Sequence, residues 1–98
     1  MAVWSKSEME TFHADGSYTI DCDVRIDGDQ IVVSYFDNGS VEYRGREVAE
    51  GHFTLACPSL NGRATLHRLP NSEYLDGFWT EGGERGMWRV SLDDGRAD

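Results

Sequence analysis

The sequence predicts an all-β fold: an antiparallel up-and-down meander of about seven strands that forms a barrel or half-barrel, with one short N-terminal helix. Apolar and polar residues alternate over several stretches, most clearly at 18–26. Asp-Gly and Asn-Gly pairs separate these stretches, as hairpin turns require. No helical pattern lies between the strands, so a parallel sheet is not expected. The 98 residues predict one domain, 1–98, with the helix and its cap at 1–16.

The N-terminal segment predicts a short helix over residues 6–14. Ser5 is a suitable N-cap, and Glu8, three residues later, completes a capping box. Trp4 before the cap and Met9 after it are spaced as a hydrophobic staple. Because a helix of this length is marginal alone, we expect it to dock on the sheet or close one end of it.

The stretch from Tyr18 to Ile26 predicts the first strand, and the Asp27-Gly28 pair predicts a type I′ turn into the second. This turn places Val24 opposite Ile31 and gives the two strands a shared apolar face. That inner face contains Tyr18, Ile20, Cys22, Val24, Ile31, Val33 and Tyr35. Val32 and Phe36 fall on the outer face.

The next turn, at residues 37–40, allows two registers. A two-residue loop pairs Phe36 with Val41, whereas a three-residue loop with a glycine bulge pairs Tyr35 with Tyr43. We favour the second register, because it keeps Val41 and Tyr43 on the inner face.

The middle of the chain predicts a wide polar connection at 45–50, followed by a strand over 51–57. A turn at Asn61-Gly62 then places Cys57 opposite Leu66. The phase of Phe53, Leu55 and Cys57 assigns these side chains to the interior.

The histidines do not predict a metal site. In this register His67 lies opposite Ala56, about 13 Å along the sheet from His52 by strand rise. The sequence has no His-x-His or Cys-x-x-Cys spacing, so we expect neither a metal nor a cofactor. Cys57 lies on the opposite phase from both histidines, which argues against a Cys-His catalytic pair.

The last hairpin, Leu75 to Leu92, predicts the main part of the core. A type II′ turn at Gly83-Glu84 places Trp79 opposite Trp88. Both tryptophans then share one face with three aliphatic residues, Leu75, Val90 and Leu92. A register slip of one residue would separate this set, so the pattern specifies the face strongly.

The same hairpin contains two Gly-x-Trp triplets, at residues 77–79 and 86–88. Through them the chain resembles the calycin-type meander barrels, the lipocalin-like and avidin-like group. Barrels of that group pack the tryptophan of such a triplet across a barrel end, next to a short N-terminal helical turn. Here both triplets lie near the C-terminus. The resemblance implies a barrel or half-barrel and transfers no binding residue. Residues 77–90 also resemble a small bacterial family more than any enzyme.

The net charge of −9 disfavours nucleic acid and anionic membrane surfaces as partners, because both require cationic side chains. Residues 1–10 lack the apolar run of a signal peptide, and no stretch has membrane-spanning length. We therefore expect a cytoplasmic protein. Cys22 and Cys57 are then expected to be buried free thiols, although a disulfide stays open if they are close.

The inward aromatic residues predict a non-catalytic binder of a small apolar or aromatic molecule in a lipocalin-like interior. Such sites are mostly apolar, with a few polar groups. The candidate binding residues are Tyr18, Tyr35, Tyr43, Phe53, Arg68, Trp79 and Trp88. A narrow interior filled by these side chains, without a ligand, is the alternative.

A second candidate function is a homodimeric structural or interaction protein without a small ligand. Val32, Phe36, Phe78 and Met87 fall on the outer phase and would form an apolar patch. A twofold dimer that packs sheet on sheet would bury this patch. An enzyme is not expected, because no nucleophile elbow or metal-ligand spacing is present.

Overall fold

The computed structural model describes residues 2–93, and within them eight antiparallel strands form a closed barrel. The strands are β1 Ala2–His13, β2 Gly16–Asp27, β3 Gln30–Phe36, β4 Ser40–Ala49, β5 His52–Cys57, β6 Gly62–His67, β7 Tyr74–Glu81 and β8 Glu84–Ser91. Each strand pairs with the next, and β8 pairs with β1. The predicted all-β up-and-down meander is therefore confirmed, and its barrel closes. The ends of the predicted domain, residues 1 and 94–98, lie outside the described part.

The predicted N-terminal helix is wrong, because these residues form strand β1. Met9 pairs with Ile20 of β2 and with Val90 of β8, so β1 closes the barrel. A capping box contributes only about 1 kcal/mol. A strand held on both sides instead satisfies its backbone groups and buries alternate side chains, here Ser7, Met9 and Thr11.

The inner faces are as predicted, but the first hairpins are shifted by two residues. Val24 pairs with Val33 rather than Ile31, because the turn lies at Gly28-Asp29. A three-residue loop at 37–39 pairs Tyr35 with Val41. A shift of two leaves the face of every side chain unchanged, because strand side chains alternate with a period of two.

Strand β4 continues through residues 45–49, where the sequence predicts a wide connection. Gly45 pairs with Ile31 on one side and with Leu55 on the other. A Cβ atom at Gly45 would collide with the carbonyl group of Thr54. The two strands therefore approach closely here, as glycine permits at a tight bend of a barrel.

The final hairpin turns at Gly82-Gly83, both with positive φ (54° and 95°), which a type I′ turn requires. The predicted pairing of Trp79 with Trp88 is wrong. Trp79 pairs with Gly86, and Trp88 pairs with Gly77. A Cβ atom on Gly86 would lie only 2.5 Å from Cζ2 of Trp79. The two Gly-x-Trp triplets thus pair with each other. Gly86 leaves room for the Trp79 ring, and Gly77 permits the close approach of the Thr65 carbonyl group on β6.

All eight strands contribute buried side chains to the interior. The core contains Met9, Cys22, Val24, Ile31, Val33, Val41, Tyr43, Phe53, Leu55, Cys57, Ala64, Leu66, Leu75, Trp79, Trp88 and Val90. Both cysteines are buried free thiols, as predicted. Within the described residues, no helix has the length and apolar character needed to cross a membrane.

Candidate functional site

One open end of the barrel contains a small aromatic pocket. This first mouth is bordered by the connections β1–β2, β3–β4, β5–β6 and β7–β8, which all lie at the same end of an up-and-down barrel. A cavity of about 130 Å³ opens there. We call it the mouth pocket, and it is lined by Thr11, Tyr18, Tyr35, Asp37, Val41, Leu60, Trp79, Glu81 and Trp88.

Four of the predicted binding residues line the mouth pocket: Tyr18, Tyr35, Trp79 and Trp88. Trp88 is buried and makes an edge-to-face contact with Tyr35, at a centroid distance of 6.4 Å. A closer contact of the same kind, at 4.9 Å, joins it to Tyr43 in the core below. The indole Nε1 of Trp79 donates a hydrogen bond to the carbonyl of Met87 (3.3 Å), which holds that ring in place.

Glu81 carries the carboxylate whose position in the mouth pocket is most constrained. The hydroxyl group of the buried Tyr43 donates a hydrogen bond to it. Burial and this bond together raise the pKa of Tyr43 well above its ordinary value, so the phenol stays protonated and remains a donor. A Cβ atom at Gly62 would collide with the Tyr43 hydroxyl. Gly62 therefore provides the space for this contact.

The polar groups of the mouth pocket favour a positively charged ligand. Among the described residues, its lining includes the carboxylates of Asp37 and Glu81 and no Lys, Arg or His. Burial, followed by the charge of Glu81, also raises the pKa of Tyr35, which stays neutral. The Thr11 Oγ1 atom is buried and makes no hydrogen bond of normal geometry to the described residues, and only a weak interaction with the Tyr18 side chain reaches it. A ligand group could satisfy this atom, which otherwise carries a desolvation cost.

Of the three other predicted binding residues, Tyr43 is buried in the core and does not line the mouth pocket, and two lie at the other end of the barrel. Phe53 and Arg68 line a separate cavity of about 220 Å³ at the second mouth. Arg68 donates a hydrogen bond from Nε to the carbonyl of Ser72 (2.8 Å) and lies 5.3 Å from the ring centroid of Trp4. The prediction that all these residues form one site was wrong here. The alternation of side chains along a strand shows which residues face the interior, but not how far along the barrel axis each one lies.

The four predicted interface residues do not form one patch. Phe78 pairs with Met87 across β7 and β8, and Met87 pairs in turn with Phe12 on β1. These three exposed side chains form a continuous apolar row. Val32 and Phe36 lie on β3, which is separated from β7 and β8 by at least two strands on either side.

The predicted separation of His52 and His67 is also wrong, because these residues lie directly opposite each other on β5 and β6. Their ring centroids are 4.6 Å apart. A 3-10 turn over Pro58–Leu60, continued by Asn61 with φ of 50°, connects the strands tightly. Cys57 therefore pairs with Gly62 and not Leu66.

Among the described residues, no group of three or more His, Cys, Asp or Glu side chains is placed to hold a metal ion.

Comparisons with known protein families, with curated proteins and with solved structures find no match to this chain.

Proposed function

We propose that this protein is a non-catalytic binder of a small molecule and that the mouth pocket receives the ligand. The observation that carries the proposal is the convergence at one mouth of four aromatic residues, a fixed carboxylate and the buried hydroxyl group of Thr11. Such a combination of apolar surface with a few oriented polar groups is typical of ligand sites. Because core side chains pack inside the barrel, the ligand binds at the mouth and not deep in the interior.

The chemistry of the lining favours a ligand that ends in an alkylated ammonium group. Aromatic faces attract such cations through their quadrupoles, by about 0.5–2 kcal/mol per contact. The carboxylates of Glu81 and Asp37 add attraction for positive charge. A cavity of about 130 Å³ is smaller than a drug-sized site and suits one end group of a ligand.

Choline and its neutral isostere, 3,3-dimethyl-1-butanol, test the proposal. Both have the same branched end group, but only choline is charged. Tryptophan fluorescence should report saturable choline binding through Trp79 and Trp88, and the alcohol should bind about 0.5–2 kcal/mol more weakly. If both molecules bind equally, the proposed preference for a cation is wrong, and the proposal of a binder of small apolar molecules still holds. If neither binds, the small-molecule proposal loses its support.

Variants of two half-exposed tyrosines locate the binding. Tyr18 lies in the mouth pocket and is 46% exposed, so Tyr18→Ala should weaken choline binding without unfolding the barrel. Tyr74 is similarly exposed (39%) but lies on the outer wall, and Tyr74→Ala should leave the affinity unchanged. Equal effects of both variants would argue against the mouth pocket.

Membership of the calycin-type group belongs to this proposal. It is supported by the closed antiparallel barrel and by two Gly-x-Trp tryptophans at one mouth. The expected cytoplasmic location, and the absence of nucleic-acid and anionic-membrane partners, stay predictions from sequence and charge.

A homodimer without a small ligand is the second candidate function. The row of Phe12, Met87 and Phe78 across three adjacent strands favours it, because contiguous exposed apolar groups often mark association surfaces. Sedimentation equilibrium of the parent protein should then show a dimer, and Phe78→Lys should produce a monomer. A parent protein that is monomeric at high concentration would exclude this function.

A further inference from the structure

We propose that His52 and His67 form a two-histidine site for a divalent transition-metal ion, Zn²⁺ or Cu²⁺, on the outer wall of the barrel. The two residues are exposed and lie opposite each other on adjacent strands. Imidazole nitrogens are good ligands for both ions. This site is separate from the mouth pocket and independent of the proposed function.

Backbone pairing brings the two imidazole side chains close together. The amide of Arg68 donates a hydrogen bond to the carbonyl of Gly51 (2.8 Å), which places these residues at a hydrogen-bonded position of the ladder, while the Gly51 amide donates to Oε2 of Glu47. Pair types alternate along an antiparallel ladder, so the next pair, His52 with His67, is not hydrogen-bonded. Side chains approach most closely at such positions. The register therefore places both rings over the same point of the sheet.

The spacing of the rings fits one shared ion. For metal–nitrogen bonds of about 2.0–2.1 Å and a ligand–metal–ligand angle of about 90–110°, the ring centroids should lie about 4.5–5.2 Å apart. The observed separation is 4.6 Å. Because both rings are exposed, they can rotate to direct a nitrogen at the ion, and water can complete its coordination. Only two protein ligands are required.

The charged neighbours are compatible with a bound cation. The groove around the histidines also contains Glu50, Asp76, Arg68 and Arg89. The Nε atom of Arg89 lies 3.7 Å from Oδ1 of Asp76, and its guanidinium group packs over the ring of Tyr74. Arg68 donates its hydrogen bond to the carbonyl of Ser72 at the second mouth. The two guanidinium groups thus have other partners. Cys22 and Cys57 are buried and do not compete for the ion.

Calorimetric titration of the full chain with ZnCl₂ and with CuCl₂ at pH 7.5 tests the site. We expect saturable binding of one ion per chain. His52→Ala and His67→Ala should each weaken it by about tenfold or more, because each removes one arm of a chelate. His13→Ala is the matched control, since His13 lies in a different hairpin, and it should leave the affinity unchanged.

NMR of the imidazole protons provides a second readout that does not depend on binding heat. Zn²⁺ should shift the His52 and His67 resonances over the same range of ion concentration and leave the His13 resonances unchanged. Both substitutions are at exposed positions and should preserve the fold. Unchanged affinity in the double variant His52→Ala/His67→Ala, or Zn²⁺ shifts confined to His13, would overturn the proposal.

Discussion

The side chain of Glu81 owes its place in the mouth pocket to two other residues. Tyr43 donates a hydrogen bond to its carboxylate, and Gly62 leaves the space that the Tyr43 hydroxyl occupies. The raised pKa of Tyr43 keeps the donor protonated throughout the neutral range. A charged group held in this way needs little reorganisation when a cation binds, which lowers the entropic cost of binding.

Removing the Tyr43 hydroxyl should cost stability. A hydrogen bond to a charged group contributes about 1.5–3 kcal/mol, so Tyr43→Phe should lower the free energy of unfolding by about that amount. Urea denaturation measures this change, and choline affinity should fall as well, because Glu81 loses its anchor. Tyr74→Phe is the control, since no hydrogen bond of its hydroxyl to the described residues is recorded and it is partly exposed. Equal stability of the two variants would show that the Tyr43–Glu81 bond contributes little.

The β7–β8 hairpin shows how a single element fixes the position of both tryptophans. Its Gly82-Gly83 turn sets a register in which Gly77 and Gly86 each lie opposite a tryptophan. A Cβ atom at Gly86 would collide with the Trp79 ring, and one at Gly77 would collide with the Thr65 carbonyl group of β6. Glycine at these two positions therefore permits close packing beside the tryptophans, which both line the first mouth.

Substitution of Gly86 tests this packing. In Gly86→Ala the added methyl group would contact the Trp79 ring and the Phe12 carbonyl, and overpacking of this kind costs about 1–3 kcal/mol. Thermal unfolding should show a clear drop in Tm. The control Thr80→Ala changes an exposed position on β7 and should stay within about 0.5 kcal/mol of the parent. Similar Tm values for Gly86→Ala and the parent would mean that the hairpin can relax around the methyl group.

The side of the sheet on which each side chain lies was predictable from the sequence, whereas the pairing register of the strands was not. The alternation around Cys22 and Val24 identifies the inner face, but a slide by two residues preserves that alternation. Register therefore depends on turn geometry and interior volume, which is why the His52–His67 pair was missed. The predicted helix at 6–14 failed for a related reason. Local capping signals do not reveal that β1 must pair with β8, a strand from the far end of the chain.

The closed barrel as a whole buries two weak acids, Cys22 and Tyr43, and half-buries a third, Tyr35. Burial raises the pKa of Cys22 from 9.0 to about 12, with further contributions from neighbouring carboxylates. Burial likewise raises the pKa of both tyrosines above 10.0. In the unfolded chain all three groups ionise near their ordinary values. The folded state then binds more protons than the unfolded state above pH 9–10, so stability falls there as the pH rises.

We therefore expect these groups to contribute a constant amount to the free energy of unfolding up to about pH 9, and this contribution to fall steeply above pH 10. Each group adds at most about 1.4 kcal/mol per pH unit to the slope. Urea denaturation between pH 8 and pH 11 measures it, and Tyr43→Phe should make the slope shallower. The same slope in that variant as in the parent would show that Tyr43 ionises normally in the folded protein.

The most direct test of the central claim, that the mouth pocket is a ligand site, is a choline titration of the isotope-labelled protein followed by amide NMR shifts. We expect saturable shifts grouped around Thr11, Tyr18 and Glu81, with Phe53 and Arg68 at the second mouth unaffected. The absence of saturable shifts, or shifts grouped at the second mouth, would contradict it.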